Sequence, residues 1–226
     1  MRLLTFLLIF LSSYTNANAN ANDDFQLIFN KIMTTCIEKS YPTCKQKLKG
    51  TPQTQQFIID TLKLMALNKD FTGLYSAAYG EKALHEFNEA FKVTTTFINL
   101  SEYSLNSASH KRFTFKDVEG NLFVFENTTQ GWKLNVDVSL LNIVNKDAKQ
   151  LVQLSIGAYS SLISMMKSST SVDEVFKLGG RYFAVAIYNY SGVETKQKLD
   201  KIFATKNIDA EKLKQDMHLF YQQQSQ

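Results

Sequence analysis

The feature that most constrains this chain is a change of hydrophobic period. Between Ser101 and Val138 apolar residues recur at alternate positions; before and after, they recur every three or four. A period of two belongs to strands and one near 3.6 to helices, so a central sheet must be flanked by helices on both sides. The clearest stretch is GNLFVFENTTQGWKLNVDV, Gly120 to Val138, which carries the one tryptophan, Trp132. It alternates, turns at Thr128 to Gly131 and alternates again, with Trp132, Leu134, Val136 and Val138 on one side. Upstream, KRFTFKD places Phe113 and Phe115 inward and Arg112, Thr114 and Lys116 outward; SEYSLN, Ser101 to Asn106, reads as a weaker strand. This is an antiparallel meander of about four strands. The run LFVF, Leu122 to Phe125, is apolar on both faces, which points to a central strand covered on both.

The flanks read as helices. Asp23 to Lys39 carries Phe25, Ile28, Phe29, Ile32, Met33 and Cys36 at helical spacing, and Lys45 to Thr54 reads as a loop. Gln55 to Leu67 and Phe71 to Tyr79 are two helical stretches parted by a break at Asn68-Lys69-Asp70; Glu81 to Asn99 is a third, long helix. After Ser139 come helices over Leu140 to Lys167, Val172 to Asn189, Gly192 to Ala204 and Ile208 to Gln222. Ser171 with Glu174 and Ser191 with Glu194 have capping-box spacing, and Asn207 is the expected cap of the last helix. The expected fold class is α+β: N-terminal helices packed on a curved antiparallel sheet, followed by a helical C-terminal extension. The segments are a signal peptide over 1–21, a helix and disulfide loop over 22–50, a cone-shaped domain over 51–138 and the extension over 139–226.

The signal peptide is read from Arg2, the apolar run LLTFLLIFL and the small, polar stretch that follows, with A-x-A sites at Ala17, Ala19 and Ala21. That run is too short to span a bilayer, and no later segment reaches the length of a membrane helix. An exported protein is expected, in a bacterial periplasm on the strength of an Asn-, Lys- and Gln-rich composition, otherwise secreted. In an oxidising compartment Cys36 and Cys44, which enclose IEKSYPT, read as one local disulfide. The net charge of +4 comes from 25 basic and 21 acidic residues. Only Arg2, Arg112 and Arg181 are arginines. Phosphate and nucleic-acid clamps favour the bidentate guanidinium, so a nucleic-acid partner is not expected.

The order of elements between Gln55 and Val138 resembles the nuclear transport factor 2-like superfamily. FIIDTLKLMALNKDFTGLYSAAYG matches a helix ending in a polar break before an aromatic, ALHEFNEAFKVTTTFI matches the long helix that fills the cone, and Gly131-Trp132-Lys133-Leu134 matches the opening of the closing strand. A looser similarity, through EFNEAFKVTTTFI, links the chain to periplasmic phospholipid-shuttle proteins. The resemblance implies a cavity framed by strand ends. Tyr75, Tyr79, Phe87, Phe91, Phe113, Phe115, Trp132 and Leu134 are its candidate lining, fit for an apolar or amphipathic ligand. Enzymes of that superfamily place an Asp, His or Tyr inside the cone, and the inward positions named here include no acid.

Other chemistry is sparse. His85 lies between Glu81 and Glu89 at i−4 and i+4, a spacing that could orient an imidazole but also reads as a solvated face. Neither His110 nor His218 has a catalytic partner in sequence. Gly179-Gly180 lacks the phosphate-loop spacing and reads as a point of close helix contact or a kink. No cofactor or metal site is expected. Tyr182, Tyr188 and Tyr190 crowd one segment and are candidates for a partner-binding surface, since aromatics are enriched at such sites. The leading expectation is an exported, non-catalytic binding module for a partner protein or an apolar ligand. A lipid carrier, a cone-fold enzyme and an immunity or secretion-system accessory protein are the alternatives. A homo-oligomer would also cover LFVF.

Overall fold

A computed structural model describes residues 16–38, 41–91, 103–117, 120–139, 146–188 and 191–224. Residues 1–15 of the expected leader over 1–21, the second half of the expected third helix and Tyr190 therefore lie outside the described residues, while residues 16–21 belong to the first helix.

Helix α1, Asn16–Glu38, presents a stripe of Phe25, Phe29, Ile32, Met33 and Cys36 and lays it on the sheet. A disulfide joins Cys36 at its end to Cys44 in the short helix α2, Tyr41–Lys45, as the spacing predicted. The sheet contains β1 (Leu48–Lys49), β2 (Ser104–Ala108), β3 (Arg112–Lys116), β4 (Leu122–Thr128) and β5 (Gly131–Asn135), in the order β1-β5-β4-β3-β2. From β2 to β5 it is the expected antiparallel meander. The fifth strand corrects the count of about four. Leu48 and Lys49 pair parallel with Leu134 and Asn135 inside a segment expected to be loop. Two residues carry no readable period; the open edge of β5 recruits them.

The sheet's aromatic face is closed by its own helix. The Phe29 ring stacks on Phe115 at 4.2 Å and meets Phe125 edge-on at 5.7 Å. Phe113 and Phe125 stack across β3 and β4 at 4.6 Å. On the opposite face Thr114, expected to point to solvent, is buried. A bulge in β2 brings Asn106 and Ser107 together onto its hydroxyl, at 3.1 and 2.8 Å, so the burial leaves no unmet polar group. Val124 of LFVF is buried while Leu122 stays exposed.

The last strand ends earlier than its alternation implies. Val136–Ser139 forms a single helical turn, α5, instead of continuing β5. Asn135 accepts the Val138 N–H through Oδ1, and Ser139 Oγ donates to the Asn135 carbonyl while accepting the Val124 N–H at 2.9 Å. Local side-chain bonds of this kind compete with strand pairing.

The remaining elements are helical: α3 (Pro52–Tyr79), α4 (Glu81–Phe91), α6 (Lys146–Lys167), α7 (Val172–Tyr188), α8 (Val193–Thr205) and α9 (Ala210–Gln224). Thr51 caps α3 and Pro52 opens it. The expected break at Asn68-Lys69-Asp70 is absent. Asn68 donates to the Tyr159 hydroxyl at 2.7 Å and its carbonyl accepts from Thr72, so the polar residues are held within one continuous helix. Helix α6 is buried on every side from Leu154 to Ile163 and packs against α3, α7 and α9. Its Gly157 lies so close to α9 that a Cβ would stand 1.9 Å from the Met217 carbonyl oxygen. Gly179 of α7 makes the predicted close contact, with the Phe87 ring of α4. Ser171 does cap α7, accepting the Glu174 N–H and donating to its carboxylate. Two other expected caps are corrected. Gly192 occupies the cap of α8 while Ser191 bonds back to Ile187, and Asp209 rather than Asn207 accepts the Lys212 N–H in α9. Asn207 instead takes a left-handed turn at φ 49°.

Two compact units result. One contains α1, α2, the sheet and α5; the other contains α3, α4 and α6 to α9. The expected division was different: it grouped helices now in α3 and α4 with the sheet and set the C-terminal helices apart. The grouping follows from side-chain contacts that sequence order does not reveal. Phe87 of α4 meets Phe71 and Tyr75 of α3 and Phe176 and Phe183 of α7.

Candidate functional site

The residues expected to line one cavity are distributed between the cores of the two units. Phe113, Phe115 and Leu134 belong to the sheet core, with the two phenylalanines wholly buried. Trp132 sits at the margin of that core, half-buried, its ring 4.8 Å from Phe113 and 5.8 Å from Phe25. It packs the sheet. Tyr75 and Phe87 are wholly buried in the helical core, and Tyr79 stands beside them, its hydroxyl donating to the Thr170 carbonyl at 2.6 Å. The Phe91 side chain is outside the described residues. The rings in each unit meet one another rather than a shared space. Burial pushes the Tyr75 and Tyr159 hydroxyls up to about 12.

Of the tyrosines proposed for a partner surface, the two described ones, Tyr182 and Tyr188, also separate. Tyr182 is buried, with its hydroxyl 3.1 Å from Ser161 Oγ, so it is a core residue and not a surface one. Its spacing placed it with Tyr188, but α7 turns it toward α6. Tyr188 stays partly exposed at the end of α7. Its hydroxyl donates to Asp200 of α8 at 2.8 Å, a bond that raises its pKa, and Lys196 lies over its ring. Ile187, its neighbour in sequence, is 43% exposed, and on α8 Val193 is 74% and Ile202 48% exposed. Leu199 is the buried residue of α8.

A third place was not anticipated. The start of α3 and the start of α6 enclose a groove of about 290 Å³, lined by Pro52, Gln53, Gln56 and Phe57 with Asp60, Lys149 and Gln153. Asp60 is 3% exposed. Its carboxylate accepts from Gln56 Nε2 and from the Tyr221 hydroxyl of α9, each at 2.9 Å, and Gln153 donates to that same hydroxyl. Desolvation lowers the pKa of the neighbouring Lys63, against the raising influence of Asp60. The signal that could have found the site is the acid in FIID, an Asp following an apolar pair on a helix otherwise read for its apolar face. What recruits it, Tyr221, is 161 positions away.

Ionisable chemistry elsewhere is modest. His85 is exposed on α4, as its charged flanks implied. Among the described residues no group of three His, Cys, Asp or Glu side chains could hold a metal ion. In the sheet unit Lys49 and Asn135 both hydrogen-bond Glu126, and the lysine's bond holds that carboxyl below its ordinary range. Comparison with protein families, curated proteins and solved structures finds no match to this chain.

Proposed function

We propose that this chain is an exported, non-catalytic binding module that engages a partner protein through the end of α7 and the outer face of α8. The observation that carries the reading is the exposure of Ile187 beside Tyr188 at the end of α7 and of Val193 and Ile202 on α8. Apolar side chains grouped with a half-exposed aromatic are the composition of a protein interface core. Export is supported by the Cys36–Cys44 disulfide, by the apolar run behind Arg2 in the sequence, and by the lack, among the described residues, of a helix long and apolar enough to cross a membrane. A bacterial periplasm is the compartment we assign.

The lipid-carrier alternative is less well supported. It needs an open apolar cavity, and the aromatic side chains that would line one are packed into two cores.

Crosslinking tests the proposal. A photoreactive residue at Ile202 should capture one defined protein in the native compartment, and one at exposed Leu27 should not. Ile202→Asp and Ile187→Asp should abolish the complex while helical circular dichroism and melting are unchanged. Retention of the complex by both variants, or an absence of any defined adduct, would exclude this surface.

A further inference from the structure

The groove between α3 and α6 has a feature that a structural strut does not need. Asp60 is a buried carboxylate, and a buried charge is costly unless it is paired as well as hydrogen-bonded. None of the close ion pairs among the described residues includes it, and Lys63, one turn further along α3, acts on it only from beyond ion-pair distance. Gln56 and Tyr221 each supply one hydrogen bond, whereas an ionised carboxylate has roughly four acceptor positions. Acceptor capacity therefore remains on an acid that lines an open groove. Lys149 lines the same groove from α6, and no ion pair among the described residues includes it either. One wall is thus anionic and the other cationic, with the two charges more than a salt-bridge distance apart.

We propose that this groove binds a small zwitterion of free α-amino-acid size, with its ammonium on Asp60 and its carboxylate on Lys149. A molecule carrying both charges satisfies each wall at once, and a ligand with only one charge leaves the other wall without a partner. The volume holds roughly ten waters' worth of solvent, at about 30 Å³ for each, which suits a molecule of that size. Phe57 and Pro52 provide an apolar surface for the ligand's side chain. The amides of Gln53 and Gln153 can both donate and accept at its polar end. Asp60 is already oriented from two sides, so its carboxylate does not have to be ordered when the ligand arrives.

The probes are L-leucine, N-acetyl-L-leucine, which lacks the ammonium, and L-leucinamide, which lacks the carboxylate. Each is titrated into the full mature chain and followed by amide chemical shifts. L-leucine should bind, with shifts confined to the first turns of α3 and α6, and each derivative should bind about tenfold or more weakly. Lys149→Ala should weaken L-leucine by about tenfold or more without lowering the melting temperature. Asp60→Asn should do the same for L-leucine while keeping an acceptor for Tyr221. Should the Asn variant fail to fold, Lys149→Ala decides, since Lys149 is partly exposed and belongs to none of the ion pairs among the described residues. No binding of L-leucine to the wild-type chain at about 20 mM would overturn the proposal. So would equal binding by either derivative, or wild-type affinity in Lys149→Ala.

Discussion

Gly157 shows how little room the helical core leaves. A single methyl group there would meet the backbone of α9 at 1.9 Å, and backbone cannot rotate aside. Gly157→Ala gains about 1 kcal/mol of helix propensity but separates two helices, for a net loss of about 2–3 kcal/mol. At Gly179 the obstacle is the edge of the Phe87 ring at 2.9 Å, which can tilt, so Gly179→Ala should cost about 1 kcal/mol or less. Urea midpoints of the two variants, compared side by side, check the order. Tyr75 poses the reverse problem. Its hydroxyl is buried and has no hydrogen-bond partner among the described residues. Tyr75→Phe should raise stability by about 1 kcal/mol at pH 7, because it removes a desolvated, unpaired group.

The same hydroxyl sets an alkaline limit. Burial raises its pKa from 10.0 to about 12 in the folded chain, so the unfolded chain loses this proton first as pH rises. The raised value therefore adds no pH-dependent cost below pH 10 and destabilises the fold progressively as pH climbs toward about 12. Tyr159 behaves alike, with its ordinary value also raised by burial to about 12. Denaturation curves at successive pH values should show the wild type losing stability across this window, and Tyr75→Phe losing less.

At the scale of elements, short polar side chains decide where elements start and stop. The alternation through Val136 and Val138 is a strand signal, yet Asn135 and Ser139 turn the backbone into α5 by satisfying its N–H and carbonyl groups locally. Conversely, Asn68-Lys69-Asp70 carries a break signal that the Tyr159 contact overrides. The first difference is set by side chains within the local window, the second by a partner 91 positions away. The disulfide belongs to this scale too. It closes a short loop of sequence separation 8 between the end of α1 and α2, for which chain entropy gives about 2.5 kcal/mol. The Cys36→Ser, Cys44→Ser double variant should lose about that amount relative to the oxidised chain. Reductant should destabilise the wild type equally and leave the variant unchanged, as read by thermal melting.

At the scale of the whole molecule, each unit closes its own aromatic core. The purified chain should consequently give a bare protein mass under native conditions, and organic extraction should yield no stoichiometric lipid; a bound lipid would restore the carrier reading. Much of the architecture was legible beforehand: the meander from β2 to β5, the helices on either side, the α7 cap at Ser171, the Gly179 contact and the Cys36–Cys44 bond. All of these rest on period, on capping chemistry or on near neighbours in sequence. The candidate sites were not legible in the same way. Tyr182 and Tyr188 are six positions apart in one aromatic segment, yet α6 buries the first and leaves the second to α8.

The amino-acid sequence by itself determined the alternation of strand and helix, because the hydrophobic period acts on each residue's nearest neighbours along the chain. It also determined the local disulfide, which a short loop suffices to close. Only the tertiary structure decided that α1 covers the aromatic face of the sheet, that α3 and α4 join the C-terminal helices, and that Tyr221 meets Asp60 beside Lys149 in one groove. Those outcomes depend on which apolar stripes fill one another's volume. That is a property of side-chain shape across distant segments, and no period along the chain encodes it.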